Sequence, residues 1–179
     1  SSGISFLERY GDLISRDFRL LVEEYSAKIP TIMSDFSRPP ITVGHGDFRP
    51  DNFFFRNTDS GHSNIIAIDW QLAAITKGIR DISYMTAWGI PVEFQRNWEG
   101  EILESYLRSL SRGNVGDYTR QELERDYRFG FFMPFQVLVI ASASLENETQ
   151  RGEDLINVVN DRMDSIIHHY DLLALLRKL

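Results

Sequence analysis

The sequence predicts an α+β protein that is mostly helical, with a small β-hairpin or sheet around residues 41–69. Three observations predict it. Apolar residues recur at three- and four-residue steps over most of the chain. Short runs rich in β-branched and aromatic residues cluster only between Ile41 and Ile68. No internal repeat or low-complexity tail interrupts the pattern.

Taken in order, Ile4 to Ile29 reads as helix, with Phe6, Leu7, Tyr10, Leu13, Ile14, Phe18, Leu21, Val22 and Tyr25 at helical steps. Gly11 is positioned to divide it, and Pro30 reads as a stop. Pro39-Pro40 marks a stiff connector into a first strand, Ile41-Thr42-Val43. Phe53-Phe54-Phe55 and Ile65-Ile66-Ala67-Ile68 read as two more strands, separated by a turn cluster from Asn57 to Asn64. Gln71 to Arg80 reads as irregular, and Asp81 as the N-cap of a short helix through Trp88. Val92 to Leu110 has one apolar face and reads as a helix. Thr119 and Glu122 fit a capping box that opens the next helix, which Pro134 kinks or divides. Glu146 to Glu153 is polar and loop-like, and contains the sequon-like triplet Asn147-Glu148-Thr149. Leu155 to Leu176 reads as one long amphipathic helix.

The totals narrow the class of function. The 179 residues suffice for one domain with a real core. Cysteine is absent, which excludes disulfides, thiolate chemistry and Cys-based zinc sites. A net charge of -7 argues against a nucleic-acid partner. No apolar run reaches the ~18 residues of a membrane span, and no signal peptide opens the chain, so a cytoplasmic location is the expectation.

One polar loop stands between the strands: His45-Gly46-Asp47-Phe48-Arg49-Pro50-Asp51-Asn52, and a later strand ends on Asp69. Two carboxylates and an amide at strand ends suit a divalent cation and a reacting hydroxyl, since magnesium takes oxygen ligands. Each residue alone is an ordinary turn or strand-end group. The spacing His45-x-Asp47-x-x-x-x-Asn52, followed by Asp69, resembles the catalytic loop and metal-binding Asp of the protein-kinase-like superfamily. Gly46 and the ending Ile68-Asp69-Trp70-Gln71 point to its small-molecule branch: aminoglycoside phosphotransferases, choline kinases and ecdysteroid-kinase-like proteins.

That resemblance implies the C-terminal lobe of a kinase-like fold, with residues 1–40 as a helical lead-in, 41–71 as catalytic and metal-binding loops, and 81–179 as a helical subdomain. It implies transfer of the ATP γ-phosphate to a small-molecule hydroxyl. Asp47 is then the base, Asn52 and Asp69 hold Mg2+ and with it the nucleotide, and His45 and Asp81 give structural support. Arg49 either faces the transferred phosphate or pairs with Asp51. Asp126-Tyr127-Arg128, Trp88 and Trp98 stay unassigned, because aromatic residues at helical steps usually fill cores.

A kinase also needs a Gly-rich phosphate-covering loop and a strand Lys paired with a helix Glu. No G-x-G-x-x-G occurs, and Lys28, the only Lys before the loop, lies in a helical pattern. The expectation is therefore a lobe that is inactive alone, with an ATP lobe as its missing partner. The alternative is a catalytically inactive binding or scaffold module.

Overall fold

The computed structural model describes residues 2–57, 63–144 and 150–179. Of the predicted Asn57–Asn64 turn, residues 58–62 lie outside the described residues, as does the Asn147-Glu148-Thr149 triplet, while Asn57, Ser63 and Asn64 belong to strands.

The lead-in is three helices. Helix α1 (Ser2–Tyr10) buries Phe6 and Tyr10, four residues apart on one face. Helix α2 (Arg16–Tyr25) starts at Ser15, whose hydroxyl accepts from Phe18 N and donates to Asp164. Pro30 opens helix α3 (Ile29–Phe36) instead of ending a structure. Its missing N–H costs nothing in a first turn, where that donor has no helical partner, and its fixed φ suits the helix.

Two two-stranded antiparallel sheets follow among the described residues. Strand β1 (Thr42–Gly44) pairs not with its neighbours in sequence but with β4 (Ala74–Thr76), in the register Thr42↔Thr76 and Gly44↔Ala74. The stretch expected to be irregular after Trp70 thus contains a strand. Strands β2 (Phe53–Asn57) and β3 (Ser63–Ala67) form the hairpin, Phe53 opposite Ala67 and Phe55 opposite Ile65.

The remainder is helical. Helix α4 (Ile79–Gly89) begins two residues before Asp81, so that carboxylate lies in the first turn and is not the N-cap. Helix α5 (Val92–Arg112) forms where its apolar period predicts, but of that face only Leu103 is buried, while Phe94 and Trp98 are exposed and stack on one another. Helix α6 (Arg120–Gly130) opens with the predicted capping box, Thr119 Oγ1 accepting from Glu122 N while Glu122 accepts from Thr119 N. Helix α7 (Phe132–Ser144) carries Pro134 in its first turn, so the break falls at Phe131 and no kink is needed. The last predicted helix is two, α8 (Gln150–Tyr170) and α9 (Leu172–Arg177), and α8 begins inside the stretch Glu146–Glu153 expected to be a loop. Asp171 divides them with φ 49°, its carboxylate capping Ala174 N.

The core is a cluster of buried aromatic and aliphatic side chains from the helices, among them Phe18, Leu103, Tyr127, Phe135, Met163 and Leu176. Phe135 touches Phe18 and Tyr25 at ring separations of 5.7 and 5.1 Å. Inside it sits an ion pair that no local pattern announces: Lys77 Nζ is 2.8 Å from Asp126 Oδ2, with both side chains almost wholly buried. Tyr118 donates to the same oxygen and Arg125 to the other, so the charge of Asp126 is fully answered. This pair fastens the turn between β4 and α4 onto α6.

Replacing Lys77 with Met leaves a buried carboxylate short of its main partner. The expected loss is about 3 kcal/mol of unfolding free energy, read from urea melts. A variant as stable as the parent contradicts the ion pair's anchoring role.

Candidate active site

The loop from Gly44 to Asn52 lies along α4, and each contact has a distinct cause. Asp81, one turn into α4, accepts from the backbone amides of His45 (2.6 Å to Oδ2) and Gly46 (3.1 Å to Oδ1). Two charge-assisted hydrogen bonds to adjacent amides fix the backbone just ahead of Asp47. The turn is too tight for any other residue at position 46. Gly46 has φ +88°, and a Cβ there would lie 2.2 Å from Leu72 O.

His45 is buried and spends both ring nitrogens on backbone. Nδ1 accepts from Asp47 N at 3.3 Å, and Nε2 faces Ile68 O at 2.8 Å. This pairing places the ring proton on Nε2. The imidazole thereby links the loop to the strand end that carries Asp69, with Trp70 packed against it at 4.7 Å. Both nitrogens are committed, so His45 is not a metal ligand here.

Asp47 is half-buried and accepts from Asn52 Nδ2 at 2.9 Å; the same Nδ2 also donates to Asp47 O at 2.8 Å. Arg49 Nε is 3.3 Å from Asp47 Oδ2, an ion pair outside hydrogen-bond alignment, and the guanidinium rests over the Trp88 ring at 5.5 Å. The structure thus turns Arg49 toward Asp47, not Asp51. Tyr84 is buried one turn along α4 from Asp81 and feels the charge of Asp47. Burial, and next the Asp47 charge, push the Tyr84 phenol far above its ordinary range, so it remains a protonated donor.

The hairpin register brings the last residues together. Phe53 faces Ala67, and one step beyond, Ile68 N donates to Asn52 O at 3.0 Å. Asp69 is the next residue, in the left-handed region at φ 64°, ψ 59°, a conformation that short polar side chains tolerate. Among the described residues its carboxylate has no ion pair or hydrogen bond, and it is exposed. The donor chemistry fits magnesium: Asn52 commits its amide nitrogen to Asp47, leaving Oδ1 as the atom for a cation, and Asp69 adds an open carboxylate. Magnesium commonly takes few protein oxygens and completes its shell with water and phosphate. Among the described residues no three His, Cys, Asp or Glu side chains converge as a full cage.

Sequence reasoning left Trp88 unassigned because its helical spacing looks like plain core, and did not single out Tyr84; the structure sets Trp88 under Arg49. An apolar cavity of about 450 Å³ lies elsewhere, lined by Leu7, Val22, Tyr25, Phe135 and Val139, and contains none of these residues.

The profile of the ecdysteroid kinase-like family matches residues 4–115, well over half of the chain and the whole of this loop and strand region. The chain belongs to that family, within the protein-kinase-like phosphotransferase superfamily. Comparison with curated proteins and with solved structures gave no match. No helix of the described residues is long and apolar enough to cross a membrane.

Replacing Asp81 with Asn keeps the shape but turns an NH2 toward one of the two loop amides. A buried donor left unpaired costs about 2 kcal/mol. The expected urea midpoint is correspondingly lower, and a midpoint equal to the parent's contradicts the clamp.

Proposed function

We propose that this chain is the catalytic and metal-holding lobe of an ATP-dependent phosphotransferase that acts on a hydroxyl of a small molecule. The observation that carries the reading is the Asp47 carboxylate held by Asn52, beside Arg49, with Asn52 and Asp69 brought abreast by the hairpin.

The chemistry follows from those groups. The substrate hydroxyl gives its proton to Asp47 as its oxygen bonds to the γ-phosphorus. The bond from that phosphorus to the bridging oxygen breaks, and ADP leaves with that electron pair. Asn52 fixes the carboxylate so that the accepted proton goes to a defined oxygen. Arg49 supplies positive charge beside the oxygens on which negative charge spreads. Bound magnesium, held by Asn52 Oδ1 and Asp69, supplies charge neutralisation on the phosphates.

The rest of the nucleotide grip is proposed to come from a partner lobe outside these 179 residues. Lys28 lies in the turn before α3 and Lys77 is buried on Asp126, so neither serves as the strand Lys. The hairpin is apolar on both faces and uncovered: Phe54, Phe55, Ile65 and Ile66 are all exposed, as are Val43 and Ile75 on the other sheet. An exposed apolar hairpin next to the site suits closure by a second lobe over the nucleotide.

The test is an assay of the protein together with its nucleotide-gripping lobe, with Mg-ATP and a panel of small alcohols, amino sugars, sterols and choline-like acceptors. Replacing Asp47 with Asn is expected to lower kcat by at least about a hundred-fold. Equal turnover by the variant removes Asp47 from the role of base. Absence of Mg-ATP binding in calorimetry favours the scaffold reading instead.

A further inference from the structure

We propose that Arg80 is the binding residue of a second site, which takes a small oxyanion, a phosphate or a carboxylate, where α3, α4 and α6 meet behind the loop that carries Asp47. The inference goes beyond the phosphotransferase reading and does not depend on it.

The observation is a buried cation without an anion. Arg80 is only 8% exposed. Lys77, buried still deeper, has Asp126 at 2.8 Å. Among the described residues the Arg80 side chain has neither an ion pair nor a hydrogen bond. Its guanidinium meets an aromatic face instead, with Cζ over the Phe36 ring at 5.7 Å. Phe36 in turn meets Phe129 edge-on at 5.3 Å. The Arg80 backbone is set against α6, since a Cβ at Gly130 would lie 3.5 Å from Arg80 Cα. The residue is thus fixed where three helices meet, and no neighbour answers its charge.

The nearest acceptors are already committed. A basic side chain beside a helix end commonly bonds the last carbonyls, and Phe36 closes α3. Yet the last four carbonyls of α3 all have donors. Ser37 Oγ donates to Met33 O, Ser37 N to Ser34 O, Arg38 N to Asp35 O and Thr76 Oγ1 to Phe36 O. Asp81, the next residue, gives both oxygens to the amides of His45 and Gly46. The helix that carries Arg80 does not help, because the dipole disfavours a cation in the first turn of α4. Burial lowers the Arg80 pKa from its ordinary value, with the Asp81 charge opposing. Arginine stays protonated in proteins all the same, so the site holds a costly unpaired charge.

The guanidinium is not sealed in. Arg49 Nε is shut off from solvent, whereas every Arg80 nitrogen keeps some contact with it. The N–H edge therefore looks out through a narrow opening. With one face on Phe36, what remains free is a planar fork of donors, which matches two oxygens of a carboxylate or phosphate. An edge so little exposed suits a small ion and not a broad acidic surface. Bound there, the ion ties the end of α3 to the first turn of α4, beside the Asp81 clamp.

The test is a titration of this chain with sodium phosphate and, separately, sodium acetate, against sodium chloride at equal ionic strength. NMR of the arginine Nε–H groups reads Arg80 directly. The expected result is a saturating shift of the Arg80 signal with an oxyanion, and a urea midpoint that rises with the same ion and levels off. Arg80→Lys keeps the charge, loses the fork and weakens binding about ten-fold. Arg80→Met keeps the stem and removes the unpaired charge. Its urea midpoint in oxyanion-free buffer is at or above the parent's, and oxyanions no longer raise it. Arg49→Ala removes the other cation with uncommitted donors and leaves the Arg80 response intact. Three results overturn the site: an Arg80 signal that moves no more with oxyanions than with chloride, an Arg80→Met midpoint below the parent's in oxyanion-free buffer, or a response that survives Arg80→Met and disappears with Arg49→Ala. None of these readouts needs turnover, so their failure is separable from failure of the phosphotransferase reading.

Discussion

The structure depends on one carboxylate meeting two backbone amides. Asp81 gathers the N–H groups of His45 and Gly46, and that fastens a loop with no regular structure of its own to a helix packed in the core. Loop amides of this kind are otherwise left to water, and a water-bonded loop wanders. With the amides committed, the following residues have little freedom. Gly46 must turn under Leu72, and Asp47 emerges at a defined place against the Asn52 amide. The negative charge on Asp81 lies in the first turn of α4, where the helix dipole favours it, so the clamp and the helix support one another.

Helix α4 is itself anchored from behind. The Lys77–Asp126 pair holds the turn that leads into it, and Ser83 donates to Tyr127 O across the contact with α6. Gly130 allows that contact, since a Cβ there would come within 2.2 Å of Ser83 Oγ. The helical core thus acts on the loop through a single element. By contrast the hairpin that carries Asp69 is covered on neither face, and it is held to the loop by His45 Nε2 and by the Ile68–Asn52 hydrogen bond. The site is rigid on the side of Asp47 and lightly held on the side of Asp69. For the phosphotransferase proposed above, that asymmetry suits entry and release of a nucleotide on the less firmly held side.

Much of this was legible in the chain. The apolar periods of α2 and α5, the capping box at Thr119 and the spacing from His45 to Asp69 are local patterns, and local patterns survive in a bare sequence. What was illegible depends on distant partners. Strand β4 is three residues long and exists because β1 pairs with it from thirty-odd positions away. Pro30 reads as a stop, although the same ring starts a helix when the preceding turn is already helical. Asp81 carries the signal of an N-cap, yet the helix starts earlier and the carboxylate turns outward to the loop. Lys77 has no local signal at all, since its partner lies 49 residues on. Tyr84 and Trp88 fall at core spacing and are indeed buried. That Trp88 also lies under the Arg49 guanidinium shows only when the loop is laid against it.

The most direct test of the clamp is native-state hydrogen exchange of the His45 and Gly46 backbone amides in the unmodified chain. Protection comparable to that of core amides in α4 and α6 is the predicted result, since both donors are held by a helix-borne carboxylate. Exchange at the rate of an exposed loop would show that Asp81 does not hold them, and with that the basis for a preorganised Asp47 would be lost.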